Sequence, residues 1–315
     1  MLKLLRSRTK NEHSVVFALS NSAVKVVVAR WLNNTPELIV SDQLEVPAQD
    51  YAAAMLQLAN QYSRFTKGDP QLAIVLEPSL YQSVAADRPN LQEEAEIAAA
   101  LKYSLRDLVS LNAADIIADY YELPIQLPNQ SKINAIVADR QLLQPLVEIA
   151  LDISDEFVGI FPAELALPAL IETASEPVVI AYQSGQEPAL LQVSRDSTLQ
   201  VNRVVRPLEK LSELSSDEIK LGGLQPLSVE IQRSADYFER QLRQRPIKKA
   251  LLAAALPNLA EVTQQLSDDL GLTVDVCPYP AWAQELAAGD FSDFAALGGL
   301  LLLQQGQDKA KEDAA

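Results

Sequence analysis

One order of segments occurs twice in this chain: two apolar strand-like runs around a turn, a third strand, a helix, and a further strand. In the first half, Val15 to Leu19 and Val24 to Ala29 flank Ser20-Asn21-Ser22, a hairpin pattern rich in β-branched residues. Glu37 to Val46 supplies the third strand. Asp50 to Tyr62 reads as a helix with Asp50 as its N-cap, and Gln71 to Leu76 as a buried strand. In the second half, Pro177 to Tyr182 and Ala189 to Val193 flank Gln183-Ser-Gly-Gln-Glu187, and Leu199 to Val205 follows. A long helix from Pro226 to Gln244 carries Leu227, Ile231, Ala235, Phe238 and Leu242 on one face. Next come a strand at Lys248 to Ala254, a helix at Pro257 to Leu270, a short strand at Thr273 to Val276 and an apolar helix at Asp293 to Leu303.

The first copy carries extra chain. Asn90 to Leu108 places Ala98, Leu101, Leu105 and Leu108 on one helical stripe. Strands at Asp115 to Leu123 and Lys132 to Ala138 and a helix at Asp139 to Ile149 follow, then a strand at Phe157 to Phe161 and a helix at Pro162 to Thr173. The expected fold class is therefore α/β: two lobes around a cleft, each a mixed sheet covered by helices, with a small α/β unit inserted at about residues 90–150 of the first. The divisions are a basic leader (residues 1–13), the first lobe (14–175), the second lobe (176–290), a closing helix (291–303) returning to the first lobe, and a polar, disordered tail (304–315).

Composition narrows the function classes. With 315 residues, 48% of them hydrophobic, the chain can bury a substantial core. The 42 acidic against 26 basic residues give a net charge of -16, which repels a phosphate backbone, so nucleic acid is not expected as a partner. The longest uncharged apolar stretch, Phe294 to Leu303, is about half the roughly 20 residues that a spanning helix needs. Met1 to Lys10 has basic residues but no hydrophobic signal core, which points to the cytoplasm. Its cations are those of a solvated end, with attraction to an anionic leaflet as the alternative.

Catalytic signatures are sparse. One cysteine, Cys277, and one histidine, His13, leave no set for a zinc site or internal disulfide, and no metal is expected. Cys277 reads as a small buried hydrophobe, and His13 lies in the polar leader, far from any nucleophile motif. No Gly-x-x-x-x-Gly-Lys-Ser/Thr loop and no Gly-x-Ser-x-Gly elbow occurs. Glu93-Glu94 and Asp268-Asp269 are sequence neighbours whose side chains diverge by about 100° on a helix. Gly222-Gly223 and Gly298-Gly299 read as loop and close-packing glycines, with phosphate contact as the alternative.

The order of segments resembles the PilM family of actin-like, cytoplasmic type IV pilus assembly proteins, and within it the MshI branch that serves the mannose-sensitive haemagglutinin (MSHA) pilus. Three stretches carry the resemblance: Val16-Phe-Ala-Leu-Ser-Asn-Ser-Ala-Val-Lys25 in the frame of the family's first hairpin, Val229-Glu-Ile-Gln-Arg-Ser-Ala-Asp-Tyr-Phe238 in its long helix, and Leu101 to Leu123 in its inserted subdomain. The resemblance implies an actin-like (ribonuclease H-like) duplicated fold. Where the family's first hairpin has an acidic residue and a glycine, this chain has Ala18 and Ser20; in the second hairpin the expected aspartate is Ala181. The glycine cluster after the strand that follows the long helix is replaced by alanines, Ala254 and Ala255 among them.

These departures imply a pseudo-nucleotide site, no cofactor and no enzyme activity, since an alanine cannot hold magnesium or orient water. The role implied is a scaffold at the inner membrane, cytoplasmic and peripherally associated. It would dock the N-terminal tail of a PilN-like bitopic partner between the first lobe and its insert. The candidate lining is Leu101, Tyr103, Leu105, Leu108, Tyr120 and Tyr121, with a core role for the three leucines as the alternative. The pilus assembly ATPase is a further implied partner, and self-association stays open. Two other readings are a working actin-like ATPase and a cytoplasmic component of a type II secretion platform.

Overall fold

The computed structural model describes residues 12–128, 130–172, 175–206, 208, 211–287 and 289–312, with side chains described as far as Gln305. The expected basic leader falls almost wholly outside these residues. The first lobe opens with β1 (His13–Leu19), β2 (Ala23–Leu32) and β3 (Thr35–Glu45), then α1 (Tyr51–Gln61), α2 (Ser63–Thr66) and β4 (Gln71–Leu76). Asp50 caps α1, its side chain accepting from the Ala53 N–H. An excursion follows: β5 (Gln82–Asp87), α3 (Glu94–Ser104), β6 (Ile116–Tyr121) and β7 (Lys132–Asp139). The chain returns through α4 (Arg140–Ile153), β8 (Phe157–Pro162) and α5 (Ala163–Leu170). The second lobe holds β9 (Val178–Gln183), β10 (Ala189–Arg195), β11 (Thr198–Val205), α6 (Ser216–Glu218), α7 (Gln225–Asp236), β12 (Lys249–Ala254), α8 (Leu259–Leu270) and β13 (Thr273–Val276), and α9 (Phe294–Glu312) follows.

The duplication is visible in strand order. The first sheet runs β3-β2-β1-β4-β8 and the second β11-β10-β9-β12-β13, so each is an antiparallel three-strand meander extended by two parallel strands. Alternation along β1 sends Val15, Phe17 and Leu19 to one core, shared with Met55 and Leu58 of α1 and Leu146 of α4. Val16 and Ala18 face a second core built on α5 and α9, which also receives Ile180, Tyr182 and Leu251 from the second sheet. The far face of the second sheet packs on Leu227 and Ile231 of α7 and Val262 and Leu266 of α8. The result is five layers, helices–sheet–helices–sheet–helices, with α5 and α9 in the middle one.

Close approach in that middle layer explains the two adjacent glycines of α9. A Cβ on Gly298 would sit 2.3 Å from the Ala166 carbonyl oxygen of α5, and one on Gly299 would sit 2.7 Å from Val75 Cγ2. They are packing glycines, buried far from any loop.

Three boundaries differ from the sequence reading. The inserted unit is a sheet of order β5-β7-β6 covered by α3, so it spans Gln82 to Asp139 rather than about 90–150. Its first strand, Gln-Ser-Val-Ala-Ala-Asp, has a single β-branched residue and gives little local signal. The helix α4 packs on α1 and belongs to the first lobe. At the far end, the backbone stays helical to Glu312, where a disordered tail from Gln304 was expected.

Candidate functional site

The lobes meet where the two hairpin turns and the end of β4 converge. The structure gives each of the sequence-predicted positions a definite place. Ala18 is a buried methyl group in the middle core that both sheets share, and Ala181 is one in the core of the second lobe. Ser20 closes the first turn locally: its N–H donates to the Ala23 carbonyl at 2.9 Å, and its Oγ accepts from the Ala23 N–H at 3.0 Å. Lys25, the hairpin lysine, extends instead to the start of α9, where Nζ lies 2.7 Å from Asp293 Oδ1 and 2.9 Å from Ser292 Oγ. Ala254 and Ala255 line an open cavity of about 890 Å³ bounded by Leu256, Val276, Tyr279 and Phe291, with Asp290 as its carboxylate.

Two carboxylates that the sequence reading passed over occupy the crevice. Glu187, from the second hairpin turn, is 3% exposed. The Asn21 N–H donates to its Oε1 at 2.6 Å and the Ser79 N–H to its Oε2 at 3.0 Å. Gly185 at φ 50° permits the tight turn that aims it. Glu77, 2% exposed at the end of β4, accepts from the Tyr182 hydroxyl at 2.6 Å, while its second oxygen has no partner. Burial pushes its carboxyl up to about 8, helped by the nearby Glu187 charge and opposed by the Tyr182 hydrogen bond. Glu77 is therefore mostly protonated at neutral pH.

A third buried carboxylate fixes the inserted unit. Glu164 of α5 has no exposed surface, yet it accepts from the Tyr81 hydroxyl (3.0 Å), the Ser83 hydroxyl (2.9 Å) and the Tyr121 hydroxyl (2.6 Å). Its backbone carbonyl accepts from Gln192 Nε2 of the second lobe at 2.7 Å. Desolvation raises its pKa, opposed by those hydroxyl bonds, and the Tyr81 and Tyr121 hydroxyls are held far above their ordinary range. One carboxylate thus ties together the insert and α5, whose backbone reaches the second lobe. The signal for it was present in Phe-Pro-Ala-Glu-Leu-Ala-Leu, a lone charge inside an apolar run.

This geometry redistributes the candidate groove residues. Leu101 and Leu105 are fully buried in the insert's own core with Ile97, Ile116 and Val137, so they cannot face a partner. Tyr120 packs toward that same core, and Tyr121 points the opposite way, into the Glu164 cluster. Both tyrosines named as candidate lining are thus engaged within the chain. Tyr103 and Leu108 remain open, at 72% and 58% exposed. A separate groove of about 530 Å³ opens between the insert's uncovered sheet face, including Ala85 and Asn134, and the second lobe at Val201, Arg203 and Tyr237. Ile125, on the connection from β6 to β7, lines it while packing against the second lobe's core.

The remaining sequence candidates have structural places. Cys277 is buried and desolvation pushes its thiol up to about 12, which makes it a poor nucleophile. His13 is the first residue of β1, edge-on to Phe65 at 5.0 Å, rather than part of a leader. Asp268 and Asp269 each accept from a glutamine one helical turn back, on the exposed face of α8. Among the described residues no cluster of three or more metal-ligating side chains occurs, and no helix is long and apolar enough to cross a membrane.

Two mixed sheets of the same order, a crevice at their hairpin ends and an insert in the first lobe define the actin-like fold. A solved Bacteroides thetaiotaomicron protein described as having an actin-like ATPase fold and unknown function matches with a TM-score of 0.53 at 10% identity, covering 92% of this chain and all of that one. The structure of a PilM–PilN type IV pilus biogenesis complex matches with a TM-score of 0.64 at 15% identity, over 94% of this chain and 99% of that chain. The cytoplasmic domain of EpsL, an inner-membrane component of the Vibrio cholerae type II secretion system, matches with a TM-score of 0.48 at 15% identity over 82% and 94%. No family model and no curated protein matches the sequence.

Proposed function

We propose that this chain is a non-catalytic platform protein of a type IV pilus assembly apparatus, of the MshI kind that serves the MSHA pilus, peripheral to the inner membrane on its cytoplasmic side. The groove beside the insert takes the extended N-terminal tail of a PilN-like membrane partner by apolar contacts and strand-like hydrogen bonding. The observation that carries the reading is the crevice, where the two hairpin positions at which the resemblance implies acidic residues, Ala18 and Ala181, are buried alanine methyls. The likeness in fold to the PilM–PilN complex over 94% of the chain supports the choice of partner.

Calorimetry with Mg-ATP on the full chain is expected to give no binding heat; clear micromolar binding would sink the reading in favour of an ATPase. Titration of the partner's tail peptide tests the groove. Asn134→Trp, which fills it, should weaken binding by at least about tenfold, the loss of roughly 1.4 kcal/mol. Tyr121→Phe removes one hydroxyl from Glu164 without adding bulk, so it should cost stability while leaving tail affinity within about twofold. Full affinity in Asn134→Trp places the tail elsewhere, with the exposed Tyr103 and Leu108 as the next surface to mutate.

A further inference from the structure

The crevice presents an anion cradle on one lobe and fills it from the other. Asn21 lies in the turn between β1 and β2, and Ser79 follows β4; their backbone N–H groups converge on one point, the arrangement by which backbone amides hold phosphate. Each binds a different oxygen of the Glu187 carboxylate. Both sides are preorganised. The first turn is closed by Ser20 and Ala23, and the Asn21 carbonyl accepts from the Tyr51 hydroxyl at 3.3 Å. The second turn is closed by the Glu187 N–H donating to the Ser184 carbonyl at 2.9 Å and by Gln183 Nε2 donating to the Gly185 carbonyl at 3.0 Å. A hydrogen bond to a charged acceptor is among the stronger kinds, and the Glu187 carboxylate that accepts both is itself buried.

We infer that Glu187 is a tethered anion that stands in for a bound phosphate in the Asn21/Ser79 cradle and clasps the two lobes, so that the chain fixes its own closure without a ligand. The ligand class that fits the cradle once the side chain is removed is a free inorganic phosphate. The inference rests on the reading of the crevice as non-catalytic and deepens it: the protein is held in one state, and partner affinity is set independently of nucleotide. The Glu77 carboxyl beneath is mostly protonated and bonded to Tyr182, so it leaves the Glu187 charge as the principal negative charge at the cradle.

The test compares the full-length wild type with Glu187→Ala and Glu187→Gln. Hydrogen exchange at the Asn21 and Ser79 amides should accelerate at least about tenfold in Glu187→Ala, with Tm lower by roughly 5 °C. Inorganic phosphate at millimolar concentration should restore several degrees to Glu187→Ala, beyond sodium chloride of equal ionic strength, and should leave the wild type unmoved. Glu187→Gln keeps the size and one acceptor, so its exchange should fall between the other two; it serves as the readout if the alanine variant does not fold. Unchanged amide exchange in both variants overturns the inference, as does equal response of wild type and Glu187→Ala to phosphate. These outcomes are read without nucleotide, whereas the scaffold reading fails on Mg-ATP binding by the wild type.

Discussion

Replacing Gly298 by alanine is expected to lower stability by about 2 to 3 kcal/mol, although alanine is the better helix former by about 1 kcal/mol. The added Cβ would lie 2.3 Å from the Ala166 carbonyl oxygen, a backbone atom that cannot rotate away, so α9 must move off α5. Because α9 also touches the first sheet, the displacement would reach Val16 and Val75. Gly299→Ala meets only valine methyl groups, at 2.7 and 2.8 Å, and should cost less, since side chains give more readily than backbone. Urea denaturation of the two variants decides the matter. A neutral Gly298→Ala would mean that α5 and α9 are farther apart than the structure places them.

The second large effect concerns pH. The folded Glu77 carboxyl titrates at about 8, well above the ordinary carboxylate range that it recovers on unfolding. Between those two values the folded chain holds a proton that the unfolded chain releases. The stabilisation is therefore complete at acid pH below the unfolded value, and is lost as pH rises through about 8. The loss should amount to a few kcal/mol. Glu77→Gln imitates the protonated form and keeps an acceptor for the Tyr182 hydroxyl, so the variant should lose less stability between pH 5 and pH 9. Subtracting the two pH profiles of unfolding free energy isolates this group; parallel profiles would show that Glu77 stays ionised in the fold.

The fold was legible to the extent that its signals are local. The hairpin at Val15 to Ala29, the helix capped by Asp50 and the stripe along α7 are each carried by residues a few positions apart, and the repeated order of segments followed from them. The strand β5 escaped because its small and polar residues are placed by pairing with β7, some fifty residues on. The site was less legible for the same reason. Asn21 and Glu187 are 166 positions apart, and Glu77 and Tyr182 are 105 apart, so no spacing rule relates them. A glutamate in Gln-Ser-Gly-Gln-Glu looks like a solvated turn residue until the other lobe is set against it. Leu101 and Leu105 illustrate the converse: an apolar stripe announces burial, but not whether the burying surface belongs to the same chain.

The middle helix layer has a consequence for biogenesis. The inner faces of both sheets are finished by Phe294, Leu297 and Leu300 of α9, although the strands composing those faces are made much earlier. As the polypeptide leaves the ribosome, each lobe can pair its strands but must hold an oily flank toward water until this helix arrives. The last step of maturation is then the insertion of a wedge rather than the meeting of two finished halves, and a nascent chain stalled before residue 294 is the form that a chaperone would be called on to shield.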